Sequence, residues 1–256
     1  MPYAAINGAS IYYQRHGSGP PTVFLHGAGG NHLVWWQQLE PFGRHFQCVT
    51  YDARGWGLSR GQMRVGRFAF GTDLIALLDH LQIERANIVA HSMGGRAVAG
   101  LLRLAPGRLA GLVLSGSNGG CANDRIRELQ DQLRDARGPG GLREHALSEG
   151  FEAEQPALAA LYRQINAMNP PRPRGMLGRP PATYRGSMHE AIAASGARVV
   201  FVVGEHDTIT SPGLIEEAHR LVPGSRLAVI EGAGHSAYFE NARAWNAAVL
   251  GHLLEE

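Results

Sequence analysis

The chain predicts an α/β fold: a mostly parallel, doubly wound sheet with a block of helices inserted between two of its strands. Three observations carry that expectation. Short β-branched runs alternate with stretches of helical periodicity, the pattern that builds a parallel sheet with helices on both faces. The runs are almost continuously apolar and stop at turn residues, which is how strands buried on both faces read. The alternation lapses once, between about Gly119 and Gly196. A length of 256 residues suits one domain carrying one insertion.

In chain order, the opening MPYAAINGASIYYQRHG reads as a first strand and turn, with neither the basic start nor the apolar stretch of a signal peptide. Thr22–Leu25 is an apolar run that stops at His26-Gly27, and Gln47–Tyr51 is another that stops at Asp52. Phe70–Leu81 puts Leu74, Leu77, Leu78 and Leu81 on one helical face. The strand Asn87–Ala90 precedes Ser92, and a helix over Met93–Leu104 follows it. Leu109–Leu114 leads into Ser115-Gly116. Then come only helical patterns, at Arg125–Arg134, Pro156–Met168 and near Ser187–Ala194. The stretch NPPRPRGMLGRPP lies between the last two, where each proline fixes φ and removes a donor. Strands resume at Arg198–Val203 and Arg226–Ile230, with helices at Leu214–Leu221 and Ala242–Leu254. The expected division is a core of residues 1–118 and 197–256, with residues 119–196 as a helical lid over the strand ends.

Composition narrows the function classes. Apolar residues make up 44% and charged residues 18%, enough for a large core and too apolar for disorder. A net charge of +2 gives no case for a nucleic-acid partner. All 24 basic residues are arginine, read as a compositional bias. Cys48 and Cys121 lie far apart without ligand spacing, so neither a disulfide framework nor a metal site is expected, and each reads as a small buried apolar residue. No run approaches the roughly 18 apolar residues of a membrane span, and no Asn-x-Ser/Thr sequon occurs. The expectation is a cytoplasmic monomer or small homo-oligomer that acts on a small molecule, without a cofactor, a membrane or a nucleic acid.

Four segments carry chemistry, each directly after a strand, where ligands bind in open parallel sheets. In Ala90-His91-Ser92-Met93-Gly94-Gly95 a strand ends, a serine sits on the turn and a helix starts at once. A serine hydroxyl is a weak nucleophile and must be exposed beside a base; a tight strand-to-helix turn with small neighbours exposes it. The Met93 N–H at the helix start then points to where an oxyanion forms. The usual G-x-S-x-G opens here with Ala90. The second segment is Gly204-Glu205-His206-Asp207, and the third is Gly232-Ala233-Gly234-His235. The order Ser92, Asp207, His235 is that expected for nucleophile, acid and base on such a sheet. Asp207 is preferred to Glu205 because it lies deeper in its loop; Glu231 lies too near its strand, and His206 and His91 read as structural. The fourth segment, His26-Gly27-Ala28-Gly29-Gly30, offers the Ala28 N–H as a second oxyanion donor.

Together HGAGG, YDARGWGLS, AHSMGG and GAGHSAYFEN resemble the α/β-hydrolase superfamily, and more narrowly its small bacterial esterase, lactonase and C–C hydrolase branch. The resemblance covers nearly the whole chain except the lid. It implies that the Asp52–Ser59 loop is a structural turn beside the site, and that Trp35 and Gln38 pack near the pocket. Ala242 stands where the family often has proline. Haloalkane dehalogenases and epoxide hydrolases of this fold carry aspartate at the nucleophile position, so Ser92 favours acyl transfer through an acyl-enzyme. Carboxylesters, lactones, thioesters and vinylogous C–C bonds all suit such a triad. Some relatives perform perhydrolysis or cofactor-free oxygenation, and others are ligand receptors with slow or lost turnover. HEAIA at His189 lacks the second histidine of a zinc protease, and Gly55–Gly57 lacks dinucleotide-fold spacing. Arg172, Arg174, Arg179 and Arg185 crowd the prolyl stretch, either as a solvated loop or as a fork for a substrate carboxylate.

Overall fold

The computed structural model describes residues 2–61, 69–137, 141–171 and 186–255. Among them nine strands pair into one sheet: β1 (Tyr3–Ile6), β2 (Ala9–His16), β3 (Pro21–Leu25), β4 (Gln47–Tyr51), β5 (Arg60–Gly61), β6 (Ala86–His91), β7 (Leu109–Ser115), β8 (Arg198–Gly204) and β9 (Arg226–Ile230). The order across the sheet is β1-β2-β4-β3-β6-β7-β8-β9, with β5 beside β2. From β4 through β9 every neighbouring pair on that path is parallel; the pairings of β2 with β1, β4 and β5 are antiparallel.

The described helices are α1 (Trp36–Gly43), α2 (Ala69–His80), α3 (Gly95–Leu104), α4 (Asp124–Arg137), α5 (Phe151–Glu154), α6 (Pro156–Ala167), α7 (His189–Ala194), α8 (Pro212–Arg220), α9 (Ala237–Glu240) and α10 (Ala242–Leu254). Successive strand residues point to opposite faces, and two cores result. Val23, Leu25, Ile88, Leu112 and Phe201 join leucines of α2, α3 and α8 on one face. Phe24, Val89, Val113 and Val202 join Trp35, Phe42, Tyr238 and Trp245 on the other. Between β7 and β8 the described residues hold α4 to α7 and no strand. Among the described residues no helix is long and apolar enough to cross a membrane. Cys48 and Cys121 are buried and unbridged, and burial pushes each thiol up to about 12.

Three local expectations change, and one helix lies where no element was expected. The first strand and turn is a hairpin of β1 and β2, and its turn residues Asn7 and Gly8 have φ of 47° and 73°; two positive φ angles match the right-handed strand twist. The helix after Ser92 begins as a 3-10 turn over Ser92–Gly94 before α3. The strand β9 is not buried on both faces: it is the last in the sheet, and Val229 is 51% exposed. Finally, α1 forms despite Pro41 in its interior. Proline cannot donate to the carbonyl four residues back, and Asn246 Nδ2 of α10 donates to that Gln37 carbonyl instead, at 3.1 Å.

The loop after β4 is tied down by a buried ion pair. Arg54 Nε donates to Asp73 Oδ2 at 2.9 Å and Nη2 to Oδ1 at 2.7 Å, the bidentate arrangement that suits guanidinium and carboxylate. Arg54 Nη2 also donates to the Asn7 carbonyl and Asn7 Nδ2 to Asp73, each at 3.0 Å, which locks the hairpin turn to α2. Arg54→Leu is expected to cost about 3–5 kcal/mol in urea unfolding, because it strands a buried carboxylate. Adding Asp73→Leu should recover most of that loss. Equal losses in the single and double variants would show that the Asn7 contact, and not the ion pair, matters.

Candidate active site

The site forms where β3, β6, β8 and β9 end. At the end of β6 the chain turns so sharply that Ser92 takes a φ of 48°, a region that non-glycine residues occupy at a cost. The turn is held because Gly94 packs onto β3: a Cβ there would lie 2.7 Å from the Leu25 carbonyl oxygen. The result lifts the Ser92 hydroxyl clear of the sheet while its neighbours stay buried.

His235 Nε2 lies 2.9 Å from Ser92 Oγ, and His235 Nδ1 lies 2.8 Å from Asp207 Oδ2. A carboxylate only accepts, so Nδ1 donates to Asp207 and Nε2 accepts from the serine hydroxyl. Asp207 is buried, and burial by itself would raise its pKa. The neighbouring His235 and the hydrogen bonds to the carboxylate outweigh that, so its carboxyl is held below the usual range. Ile209 N–H, Thr210 N–H and Thr210 Oγ1 all donate to it, at 2.7 to 2.8 Å. Glu205 is exposed and accepts from Gly232 N–H at 3.0 Å, away from His235; Glu231 and His206 are also exposed.

Ser92 opens into a cavity of about 390 Å³ lined in part by Ala28, Met93, Gly116, Leu142 and Ile209, within the range of small-molecule sites. His235 and Asp207 are not among the described residues of that wall. Trp35 and Gln38 do not line the cavity either: they are fully buried, Trp35 packs on Tyr238 with ring centroids 4.5 Å apart, and Gln38 Nε2 donates to the Tyr238 carbonyl at 2.9 Å. They brace α9, which follows the His235 loop. Asp52 holds its loop as a turn, accepting from His32 N–H and Leu58 N–H, each at 2.6 Å. Arg172, Arg174, Arg179 and Arg185 lie outside the described residues.

Several residues that sequence reasoning passed over hold the site together. Asn169, just past α6, donates to the Gly29 carbonyl at 2.5 Å and accepts from Gly57 N–H at 2.8 Å, clamping two loops. Tyr162 of α6 shares a 2.9 Å hydrogen bond with Ser236, next to His235. Glu240 accepts from Gly234 N–H and Ser148 N–H, at 3.1 and 2.7 Å; burial raises its pKa against those bonds.

His91, read from the sequence as structural, stands against the His235 loop. Its Nε2 donates to the His235 carbonyl at 3.0 Å, and the two rings lie 4.8 Å apart. Burial first, and the neighbouring His235 second, push its pKa down to about 3. An unfolded histidine takes up a proton near pH 6.5, so between these values the unfolded chain binds one more proton and stability falls as the pH drops. His91→Gln removes that contribution. From pH 6.5 to 5 the decline in unfolding free energy should shrink by about 2 kcal/mol, and an unchanged slope would place the acid sensitivity elsewhere.

Comparison with known proteins identifies the family of the fold. A family model described as alpha/beta hydrolase fold matches residues 20–242. The chain is 28% identical to a dihydrolipoyllysine-residue acetyltransferase component of an acetoin cleaving system from Cupriavidus necator, over 98% of this chain and 68% of that one. It is 26% identical to 3-oxoadipate enol-lactonase 2 of Acinetobacter baylyi, over 90% and 87%. Among solved structures, Est816, described as an N-acyl homoserine lactone degrading enzyme, superposes with a TM-score of 0.76 at 25% identity, over 98% of this chain and 99% of that one.

Proposed function

The chain belongs to the α/β-hydrolase fold family, and from that premise we propose that it is a serine hydrolase of a small carboxylic ester or lactone. One observation carries the reading: a serine on a positive-φ turn, at the mouth of a cavity, is hydrogen-bonded to a histidine that a buried carboxylate orients.

Ser92 is the nucleophile. As its Oγ attacks the substrate carbonyl, His235 Nε2 takes the hydroxyl proton and Asp207 stabilises the imidazolium that results. The carbonyl oxygen becomes an oxyanion, held by the main-chain N–H groups of Ala28 and Met93, whose residues border the cavity beside Ser92. His235 then returns the proton to the leaving alkoxide, and the acyl group stays on Ser92. Water enters, gives its proton to His235 and attacks the ester carbonyl; His235 returns that proton to Ser92 as the acid leaves. A lactone follows the same steps, with its leaving oxygen still tethered, and the lactone-degrading relatives support that substrate form.

Asn169, Asn31 and Tyr162 support a lid role for residues 119–196. Asn169 and Tyr162 tie α6 and its end to the Gly29 and Ser236 loops, while Asn31 Nδ2 reaches back to the Ile165 carbonyl at 2.9 Å.

Ser92→Ala should stay folded and lose at least ~10³-fold in hydrolysis of p-nitrophenyl esters, and a serine-directed phosphonate should label Ser92 alone. Full activity in the variant, or labelling elsewhere, would falsify the assignment. Asp207→Asn should lower kcat by up to ~10⁴-fold by leaving His235 in the wrong tautomer, while Glu205→Gln changes little. The opposite ranking of those two variants would move the acid to Glu205.

A further inference from the structure

The first residues of α3 surround Ser92, and one stripe of that helix continues along the cavity wall. Gly95, Arg96, Ala99, Gly100 and Arg103 all line it. Their spacing of one, four, five and eight residues from Gly95 is that of a single helix face. The middle of the stripe is small. Gly100 cannot be larger: a Cβ there would lie 2.6 Å from Gly71 Cα, because α2 and α3 meet backbone to backbone. The stripe is therefore a smooth groove with a guanidinium near each end.

The charge of that wall is one-sided. Among the described lining residues Arg96 and Arg103 are the charged ones, and neither aspartate nor glutamate is present. Ser117, Asn118 and Thr210 add neutral polar groups. Both arginines are half-buried, so the positive field acts across a partly dehydrated space, where it is stronger than on an open surface. Arg103 Nε donates to Met188 Sδ at 3.2 Å, which fixes its guanidinium at the far end. An α-helix rises about 1.5 Å per residue, so Arg96 stands roughly one turn from Ser92 and Arg103 about two turns beyond Arg96. A neutral acyl chain would gain apolar contact there but nothing from the two guanidinium groups. A carboxylate would gain from them, and the planar fork of arginine accepts it in bidentate geometry.

We propose that Arg96, backed by the field of Arg103, is a carboxylate subsite, and that the acyl group carried to Ser92 is anionic. The substrate class is a half-ester of a short dicarboxylic acid, or a lactone with a free carboxylate. The inference rests on the serine-hydrolase reading and takes its recognition residues from α3; the arginines of residues 172–185 carry no part of it. A carboxylate bound before and during reaction contributes uniform binding, so its loss appears in KM more than in kcat.

The test uses a matched pair, the mono-p-nitrophenyl ester of glutaric acid and p-nitrophenyl pentanoate, with the full-length parent, Arg96→Gln and Arg103→Gln. The parent should favour the acidic ester in kcat/KM. In Arg96→Gln the acidic-to-neutral ratio should fall by about tenfold or more, the size of a charge-assisted hydrogen bond, mainly through KM. The fall should be smaller in Arg103→Gln, and added salt should weaken the parent's preference. A parent that favours the neutral ester, or an Arg96→Gln that keeps the parental ratio, overturns the subsite while leaving the hydrolase reading intact. If neither ester is turned over, the hydrolase reading fails by itself. Calorimetric titration with glutarate then decides the subsite: binding by the parent that Arg96→Gln loses supports it, and absence of binding overturns it. Matched melting curves for the three proteins tie any loss to the side chain and not to unfolding.

Discussion

The candidate site depends on one backbone constraint, the left-handed conformation of Ser92 at the end of β6. An L-residue does not rest there unless its surroundings hold it. Here the surroundings are the sheet on one side and α3 on the other. Gly94 has no side chain and lies against the Leu25 carbonyl, so the turn closes tightly and α3 starts directly beneath the hydroxyl. That one turn sets three directions at once. It aims Oγ at His235, it puts the Met93 main chain beside the cavity, and it sends α3 away with its Gly95–Arg103 stripe along the cavity wall. Ala90, where the related pattern has glycine, is fully buried in the strand and leaves the turn itself untouched.

A strained turn is useful only if its partner stays still, and the loop after β9 is held from several directions. His91, adjacent to Ser92, donates to the His235 carbonyl, so Ser92 and His235 are linked through the main chain as well as through their side chains. Glu240 gathers the Gly234 and Ser148 N–H groups. Tyr162 reaches Ser236 from α6. Behind them the Trp35, Tyr238 and Trp245 rings form a rigid backing. Buried polar groups carry a desolvation cost that only good hydrogen bonds offset. Glu240 illustrates the balance: burial raises its pKa although several donors point at it.

Charge in the molecule is divided between structure and recognition. The Arg54–Asp73 pair is buried and internally matched, and it fastens the N-terminal hairpin to α2. Several other described ion pairs are exposed and span three or four residues of the chain, such as Arg125 with Glu128 and Arg220 with Glu216; pairs of this kind add little to stability. Arg96 and Arg103 differ from both groups in position, because they stand in the wall of the cavity that Ser92 opens into. An arginine-only basic complement reads as bias in composition, yet the fold gives individual arginines unlike tasks.

Much was legible in sequence because the signals are local. Apolar runs that stop at turn residues mark the parallel strands, and Ser92, Asp207 and His235 each lie just after such a run; the structure brings these three side chains together. The opening segment reads in sequence as one strand and a turn, and Asn7-Gly8 at its centre is the turn that folds it into a hairpin. Other features had no local signal. Pro41 argues against α1, and only the distant Asn246, which takes the orphaned Gln37 carbonyl, makes that helix acceptable. The apolar run of β9 reads as fully buried, but the last place in a strand order is a property of the whole sheet. Asn169 looks like one more loop asparagine until it is seen gripping Gly29 and Gly57. Sequence by itself determined the succession of elements and the candidate side chains at their ends, because turn chemistry and periodicity act over a few residues. Tertiary structure alone decided which loops support His235 and which face of α3 meets the cavity, because hydrogen bonds and walls form between residues that only packing of the whole chain brings near.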